Sequence, residues 1–308
     1  MSRRRTKSLS FCIPTYNRDK FLEKTVRRIF GQESDVIVNI SDNASTDSTH
    51  ETVTRLRKEF GNRKIKYFRQ RKNIGFDKNL IYSVKMATSD YCWIISDDDL
   101  PSNGSIAKIF EIINLFPKIT LIHVNYSRFD NLLKKVTSSK MEGSINKDMY
   151  YDNSNKFFFE RITDSYFEFL GTNIVTMSTN IINRREWKKS LEKVKKYTSH
   201  NFIHCFVIAS MIKERPSIYY VSNPQIQYLA NNHRIWPNNI WEDFNHIFMD
   251  YLVKIGYEKR LVSQMRKIQK KYEGRESLTK TPVIKEIYQI LRPMISTARY
   301  VIDQVNNK

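Results

Sequence analysis

The chain has 308 residues, 40% hydrophobic and 13% aromatic, with only 8 glycines and 8 prolines, which excludes a disordered or linker-rich protein and leaves one large α/β domain or two smaller ones. The formal charge of +20 is spread along the whole length, so it is not a basic tail; it suits lipid headgroups, phosphorylated substrates or nucleic acid, or a lysine-rich solvated surface. Three cysteines, Cys12, Cys92 and Cys205, show no CxxC spacing and read as buried thiols in a reducing compartment.

No signal-peptide apolar segment follows the basic residues 1–7, and no stretch approaches the ~18 uninterrupted apolar residues of a membrane span. The expected location is the cytoplasm, with peripheral attachment to the inner face of the membrane as an alternative. In chain order, residues 9–14 are a short apolar run that predicts a strand. The turn Thr15-Tyr16-Asn17-Arg18 leads into a helix with Phe21, Leu22, Val26 and Ile29 on one face, ended by Gly31. β-branched residues 36–40 predict a second strand, and residues 45–49 supply cap chemistry for a helix with Val53, Leu56 and Phe60 inward. Asn43 and Asp47 read as capping residues there. Residues 65–68 predict a third strand, Asp77 caps the helix that follows, residues 91–96 predict a fourth strand, and a helix over 105–116 precedes a fifth at 120–126.

Such regular alternation predicts a mostly parallel sheet covered on both faces, with ligands outside the carboxyl ends of its strands. Four polar clusters reach that edge: Pro14-Thr15-Tyr16-Asn17, residues 41–47 around Asp42, residues 69–75 ending in Asn73-Ile74-Gly75, and Ser96-Asp97-Asp98-Asp99. By itself the acidic triplet reads equally as a solvated turn before Pro101. The convergence of the four clusters favours a site for a hard divalent cation.

Downstream, residues 131–155 read as a loop or excursion, 157–170 as aromatic-rich and 172–182 as strand-like. Helices are expected over 187–196 and 202–212, and two short strands at 218–221 and 226–229. Beyond Trp236 the pattern is helical, with a linker at 273–282 and an amphipathic stretch over 283–305.

Residues 10–17, Ser41 to Asp47, Asn73-Ile74-Gly75 with Asn79, and Ser96 to Asp99 resemble, in order and spacing, the GT-A glycosyltransferases of family 2 over residues 8–126. The opening motif and Ser96-Asp97-Asp98-Asp99 are similar to bacterial O-antigen sugar transferases, including abequosyltransferase-like members. The resemblance implies a GT-A, Rossmann-like α/β domain with a helical C-terminal extension: residues 1–126 bind the nucleotide-sugar, 127–236 the acceptor, and 237–308 form the helical region. It implies an inverting, metal-dependent transfer from a nucleoside-diphosphate sugar to a glycan or polyprenyl-linked saccharide in surface polysaccharide assembly, with no nucleic-acid partner.

By the same resemblance Pro14, Thr15, Tyr16 and Asn17 line the nucleotide and Asp42 accepts a hydrogen bond from the base. Asn73 and Gly75 form the adjoining loop, where glycine lets the backbone approach closely, and Asp97 and Asp98 complete the nucleotide site. Asp97 and Asp99 would hold Mg²⁺ or Mn²⁺, Asp99 acting catalytically through the cation. His233 and Arg234 belong to a loop over the diphosphate, while Arg71 and Lys72 read as diphosphate contacts or as a solvated face. One departure concerns the general base: the family's usual Glu-Asp pair is missing from residues 199–205, where His204 is the nearest substitute, with Asp164 and Glu168 behind it. Two competing readings are a nucleotidyltransferase, which the absence of a glycine-rich basic phosphate loop opposes, and a non-catalytic basic protein binding nucleic acid or membrane on a degenerate transferase fold. Apolar faces interleaved with Lys and Arg after residue 237 suit docking on an anionic membrane, on the domain itself or on a second subunit.

Overall fold

Strand β1 (Leu9–Thr15) is buried along all seven residues, as a central parallel strand covered on both faces must be. In the computed structural model, which describes residues 7–33, 35–129, 145–160, 174–229 and 240–267, β1 pairs in parallel with β2 (Ile37–Asp42) on one side and β4 (Tyr91–Ile94) on the other. β3 (Ile65–Arg69) lies outside β2, also parallel. Helices α1 (Asp19–Phe30), α2 (Thr49–Phe60) and α3 (Phe76–Met86) make the return crossings. The resulting order 3-2-1-4 reverses between β1 and β4, which makes that gap the topological switch point where α/β sheets open a crevice.

The second half of the sheet differs from the simple alternation. After β5 (Leu100–Pro101) and helix α4 (Ser105–Leu115), strand β6 (Leu121–Phe129) does not neighbour β4. A four-residue strand, β8 (Asn180–Asn183), sits between them, antiparallel to both. The two short strands expected at 218–221 and 226–229 are one, β9 (Ile218–Leu229), parallel to β6. Its register jumps between Val124 and Tyr126, opposite a segment holding Pro224, which has no amide to give a ladder. β5 and β7 (Met149–Tyr151) both add to β9 in antiparallel fashion. The sheet is therefore mixed but mostly parallel: β1, β2, β3, β4, β6 and β9 share one direction.

Helices α5 (Ser154–Phe159), α6 (Arg184–Val194), α7 (Ile203–Glu214) and α8 (Ile240–Lys254) follow, and the described residues end in a further helical run over 259–267. The excursion expected over 131–155 thus contains β7 and the start of α5, and the strand-like run 172–182 is a 3-10 turn (Met177–Thr179) followed by β8. α7 is buried all round from Ile203 to Ile212, so it is an interior helix; Phe206 meets Phe244 and Phe248 of α8 at 6.0 and 5.3 Å. Contacts divide the chain into two units, Met1–Glu258 and Lys259–Lys308. Trp236, the 273–282 linker and the 283–305 stretch lie outside the described residues. Among the described residues no helix is long and apolar enough to cross a membrane.

His123 on β6 shows what this core demands of a titratable group. It is buried against Phe157 and Tyr220, with Nδ1 3.1 Å from Asn180 Oδ1, and burial pulls its pKa down to about 4. The unfolded chain takes up this proton near pH 6.5 while the folded chain does not, so stability falls as pH drops from 6.5 towards 4. The loss should reach about 3 kcal/mol at pH 4, and His123→Gln should flatten that part of the profile. Denaturant unfolding across this range checks it; equal slopes in both proteins would contradict it.

Candidate active site

The apolar run of β4 ends at Ile94, and Asp97 and Asp98 form a turn rather than extended chain. Alternation therefore does not sort the triplet as a strand would. Arg18, at the head of α1, lies 2.8 Å from Asp98 Oδ2 and 3.8 Å from Asp97 Oδ1. Thr15 Oγ1, at the end of β1, donates to Asp97 Oδ2 at 2.8 Å, closing the switch point between β1 and β4. Asp99 turns the other way: Ser178 Oγ donates to its Oδ2 at 2.5 Å and the Leu229 amide to its Oδ1 at 3.2 Å. Ser96 Oγ donates to Asp98 at 2.5 Å, and Thr25 on α1 donates to the carbonyls of Asp97 and Asp99. All three carboxylates are at most 5% exposed.

The neighbouring strand ends are joined to this turn. Asn79 on α3 donates to the carbonyls of Ser41 and Thr15 at 2.9 and 3.3 Å and accepts from Ser41 Oγ at 2.7 Å. Asp42 is fully buried; its Oδ1 takes both the amide and hydroxyl of Ser45, and its Oδ2 takes the Tyr67 hydroxyl at 2.7 Å. Burial, and then Asp42, push the Tyr67 hydroxyl well above its ordinary pKa, so it remains a donor. Asn43 is no helix cap: it donates to Asn73 Oδ1 and accepts from the Ile74 amide, both at 2.8 Å, clamping the Asn73–Gly75 loop. Asp47 does cap, and serves two helices, accepting from the amide of Asp19 at 3.2 Å and that of Thr49 at 3.1 Å. Gly75 has φ 84° immediately before α3, a conformation that favours glycine. Asn17 and Ala44 also adopt positive φ on this edge. Pro14 is buried, while Tyr16 and Asn17 are exposed, as are Arg71, Lys72 and Asn73.

Asp77 plays a part that local sequence does not reveal. It leaves its own helix uncapped and instead accepts the amides of Ser199, His200, Asn201 and Ile203, all at 3.0–3.1 Å. One buried carboxylate thereby fixes the head of α7 beside Gly75. Burial raises the Asp77 pKa above the ordinary carboxylate range, against the pull of those four amides. This anchored turn is where the Glu-Asp pair was expected. His204, one residue into α7, is 1% exposed, with Nε2 3.0 Å from the Val175 carbonyl, and burial lowers its pKa to about 4. A base so weak and so enclosed is poorly suited to the role expected of it; His200, in the turn, is only half-buried. His233, Arg234, Asp164 and Glu168 lie outside the described residues.

Arg18, Thr25, Ser178 and the Leu229 amide escaped the sequence reading. Only Arg18, inside the polar cluster that ends β1, carried a local signal.

The family described as Glycosyl transferase family 2 matches residues 10–210. Among curated proteins, abequosyltransferase RfbV of Salmonella typhimurium is 45% identical over 102 residues, 32% of this chain and 30% of that protein. A GalNAc(5)-diNAcBac-PP-undecaprenol beta-1,3-glucosyltransferase of Campylobacter jejuni is 31% identical over 108 residues, 34% of each. The chain thus spans about a third of the length of these relatives. Among solved structures, S. aureus TarS in complex with UDP superposes with a TM-score of 0.61 at 14% identity, covering 89% of this chain and 73% of that one. Its complex with UDP-GlcNAc gives 0.59 over 85% and 70%. These likenesses are of fold, and they bear out the expected GT-A α/β class with its mostly parallel sheet flanked by helices.

Asp77→Asn tests the anchored turn. An amide offers one acceptor oxygen where the carboxylate offers two, leaving amides of the turn unpaired at a cost of about 2–4 kcal/mol. Hydrogen exchange at residues 199–201 and 203 should quicken beyond the global loss of stability; unchanged protection there would contradict the assignment.

Proposed function

Because the chain belongs to glycosyl transferase family 2, we propose that it transfers a sugar, with inversion, from a nucleoside-diphosphate sugar to a saccharide carried on a polyprenyl diphosphate, in the assembly of a surface polysaccharide. The observation that carries this reading is the hydrogen bond from Thr15 to Asp97, which sets a buried carboxylate turn at the switch point between β1 and β4. In α/β sheets that crevice is where nucleotides bind. The acceptor class is suggested by the Campylobacter relative's name, and the donor class by the UDP and UDP-GlcNAc complexes of TarS. We place the reaction in the cytoplasm, at the inner face of the membrane, where a polyprenyl-linked acceptor would be presented.

The donor residues are chemically suited to a divalent cation. The acidic turn offers oxygens alone, which suits Mg²⁺ or Mn²⁺ over softer metals. Among the described residues no group of three or more Asp, Glu, His or Cys converges as a complete cage. The cation proposed here would be taken by one or two carboxylates and completed by a substrate diphosphate. Asp97 and Asp99 are the residues that would hold it, each through acceptor capacity left beside its present partners, Thr15 and Arg18 for Asp97 and Ser178 and the Leu229 amide for Asp99. Such a cation, when bound, offsets the negative charge that grows on the departing diphosphate.

The chain's own residues perform the rest. Arg18 and Thr15 hold the acidic turn in place before substrate arrives, so little reorganisation is left for binding. Asn43 and Asn73 keep the glycine loop open to the nucleotide, and Tyr16 presents an exposed ring for the base. Asp42 already receives Ser45 and Tyr67; a carboxylate has about four acceptor sites, so a base contact would add to these bonds.

With Mn²⁺ present, one of UDP, GDP, CDP or dTDP should stabilise the protein against heat, by about 2.7 kcal/mol at a hundredfold excess over its Kd. Chelating the metal, or Asp99→Asn compared with its own unliganded melting temperature, should remove the stabilisation. No response to any of the four nucleotides would overturn the reading.

A further inference from the structure

Away from the carboxyl edge, four lysines from four separate segments surround one cavity of about 370 Å³. Lys193 belongs to α6, Lys196 to the 3-10 turn Lys195–Tyr197 that follows it, Lys213 to the last turn of α7 and Lys254 to the end of α8. Glu214 is the one acidic residue in the lining. Lys193 takes it at 2.5 Å, and Ser210 Oγ reaches the same oxygen at 3.4 Å. Four ammonium groups against one carboxylate leave a surplus of positive charge around a concave space. Like charges gathered around one cavity favour an anion between them.

The lysines are positioned by uncharged partners as well. Lys213 Nζ donates to the Gly256 carbonyl at 2.6 Å and stands 4.7 Å from the centre of the Tyr257 ring. Lys196 Nζ lies 5.2 Å from the Tyr197 ring. Two aromatic rings line the cavity: Tyr197 meets Tyr251 edge-on at 5.1 Å, and Tyr197 is itself stacked on Phe206 at 4.6 Å. Ser210 and Tyr251 are buried and bring hydroxyls to the lining. Burial pushes the Tyr251 hydroxyl up to about 12, which keeps it a neutral donor. Lysines, hydroxyl-bearing side chains and two aromatic rings around one cavity are the residue types that receive a phosphate ester and the apolar face of an attached ring. The volume falls in the range of small-ligand pockets.

The cavity is also separate from the acidic turn. α7 has 12 residues and is therefore about 18 Å long; its head is held by Asp77 at the carboxyl edge, while Ser210, Lys213 and Glu214 lie towards its other end. We propose that this cavity binds a phosphate-bearing ligand, the phosphomonoester or diphosphate of a sugar or of a lipid headgroup, at a site distinct from the donor crevice. The proposal stands independently of the transferase reading.

Titration calorimetry on the full chain tests it, with inorganic pyrophosphate and glucose 1-phosphate as soluble probes. Sedimentation with phosphatidylcholine vesicles, with and without phosphatidic acid, tests the lipid source. Lys196 and Lys254 are exposed, so the double variant Lys196→Glu/Lys254→Glu should fold. Lys58→Glu/Lys118→Glu, also exposed, carries the same change in net charge elsewhere. Affinity for at least one probe should fall at least about tenfold in the first variant and stay unchanged in the second. Soluble probes alone responding would identify a free phosphate ester, and vesicles with phosphatidic acid responding would identify a headgroup. Equal weakening in both variants, or no binding of any probe, would overturn the proposal.

Discussion

Three consecutive carboxylates are buried in one turn, and the surrounding structure is arranged to make that burial tolerable. A carboxylate removed from water without compensation costs several kcal/mol. Here the compensation comes from far along the chain: Thr15 and Arg18 from the β1–α1 junction, Ser178 from the approach to β8, and the Leu229 amide from the end of β9. Thr25 holds the turn's own carbonyls. The acidic turn is thus the point at which otherwise distant segments are fixed to one another. It also gathers three carboxylates at one buried turn, a departure from the stability optimum that marks a candidate functional site.

The inserted strand β8 follows from the same constraint. Ser178, two residues before it, gives its hydroxyl to Asp99, receives the Ser96 amide on that hydroxyl, and offers its carbonyl to Trp93 Nε1. Three bonds from one serine seat β8 against β4, and β6 and β9 then follow on its other side. Asp77 makes a comparable link on the α3 side, tying the head of α7 to the glycine loop. Strands β1–β4 and the downstream strands consequently form one sheet. A wall built this way can be rigid where nucleotide would bind and still leave the far end of α7 to a different ligand.

Much of the first half was legible because its information is local. Short apolar and β-branched runs located β1 to β4 and the 3.6-residue period located α1 to α4, each to within a few residues, and the polar clusters at the strand ends marked the edge. What escaped was long-range. The strand-like run 172–182 ends in β8, but nothing in it marked a strand inserted antiparallel between β4 and β6. The runs 218–221 and 226–229 read as two strands, where the ladder in fact resumes beyond a bulge. Asp77 beside a helix start reads as a cap, and nothing nearby in sequence announces amides more than 120 residues away. His204 was the nearest group able to titrate near neutrality where the Glu-Asp pair was expected, yet the helix it enters is buried on every side.

The central claim is that the acidic turn, held by Thr15 and Arg18 at the switch point, receives the diphosphate of the donor. A crystal structure of the full chain grown with Mn²⁺ and the stabilising nucleoside diphosphate tests this most directly. The diphosphate should lie against Asp97 and Asp99, with the base beside Tyr16 and the end of β2. A nucleotide bound elsewhere, at the lysine-lined cavity for example, with the Asp97–Asp99 turn untouched, would contradict it.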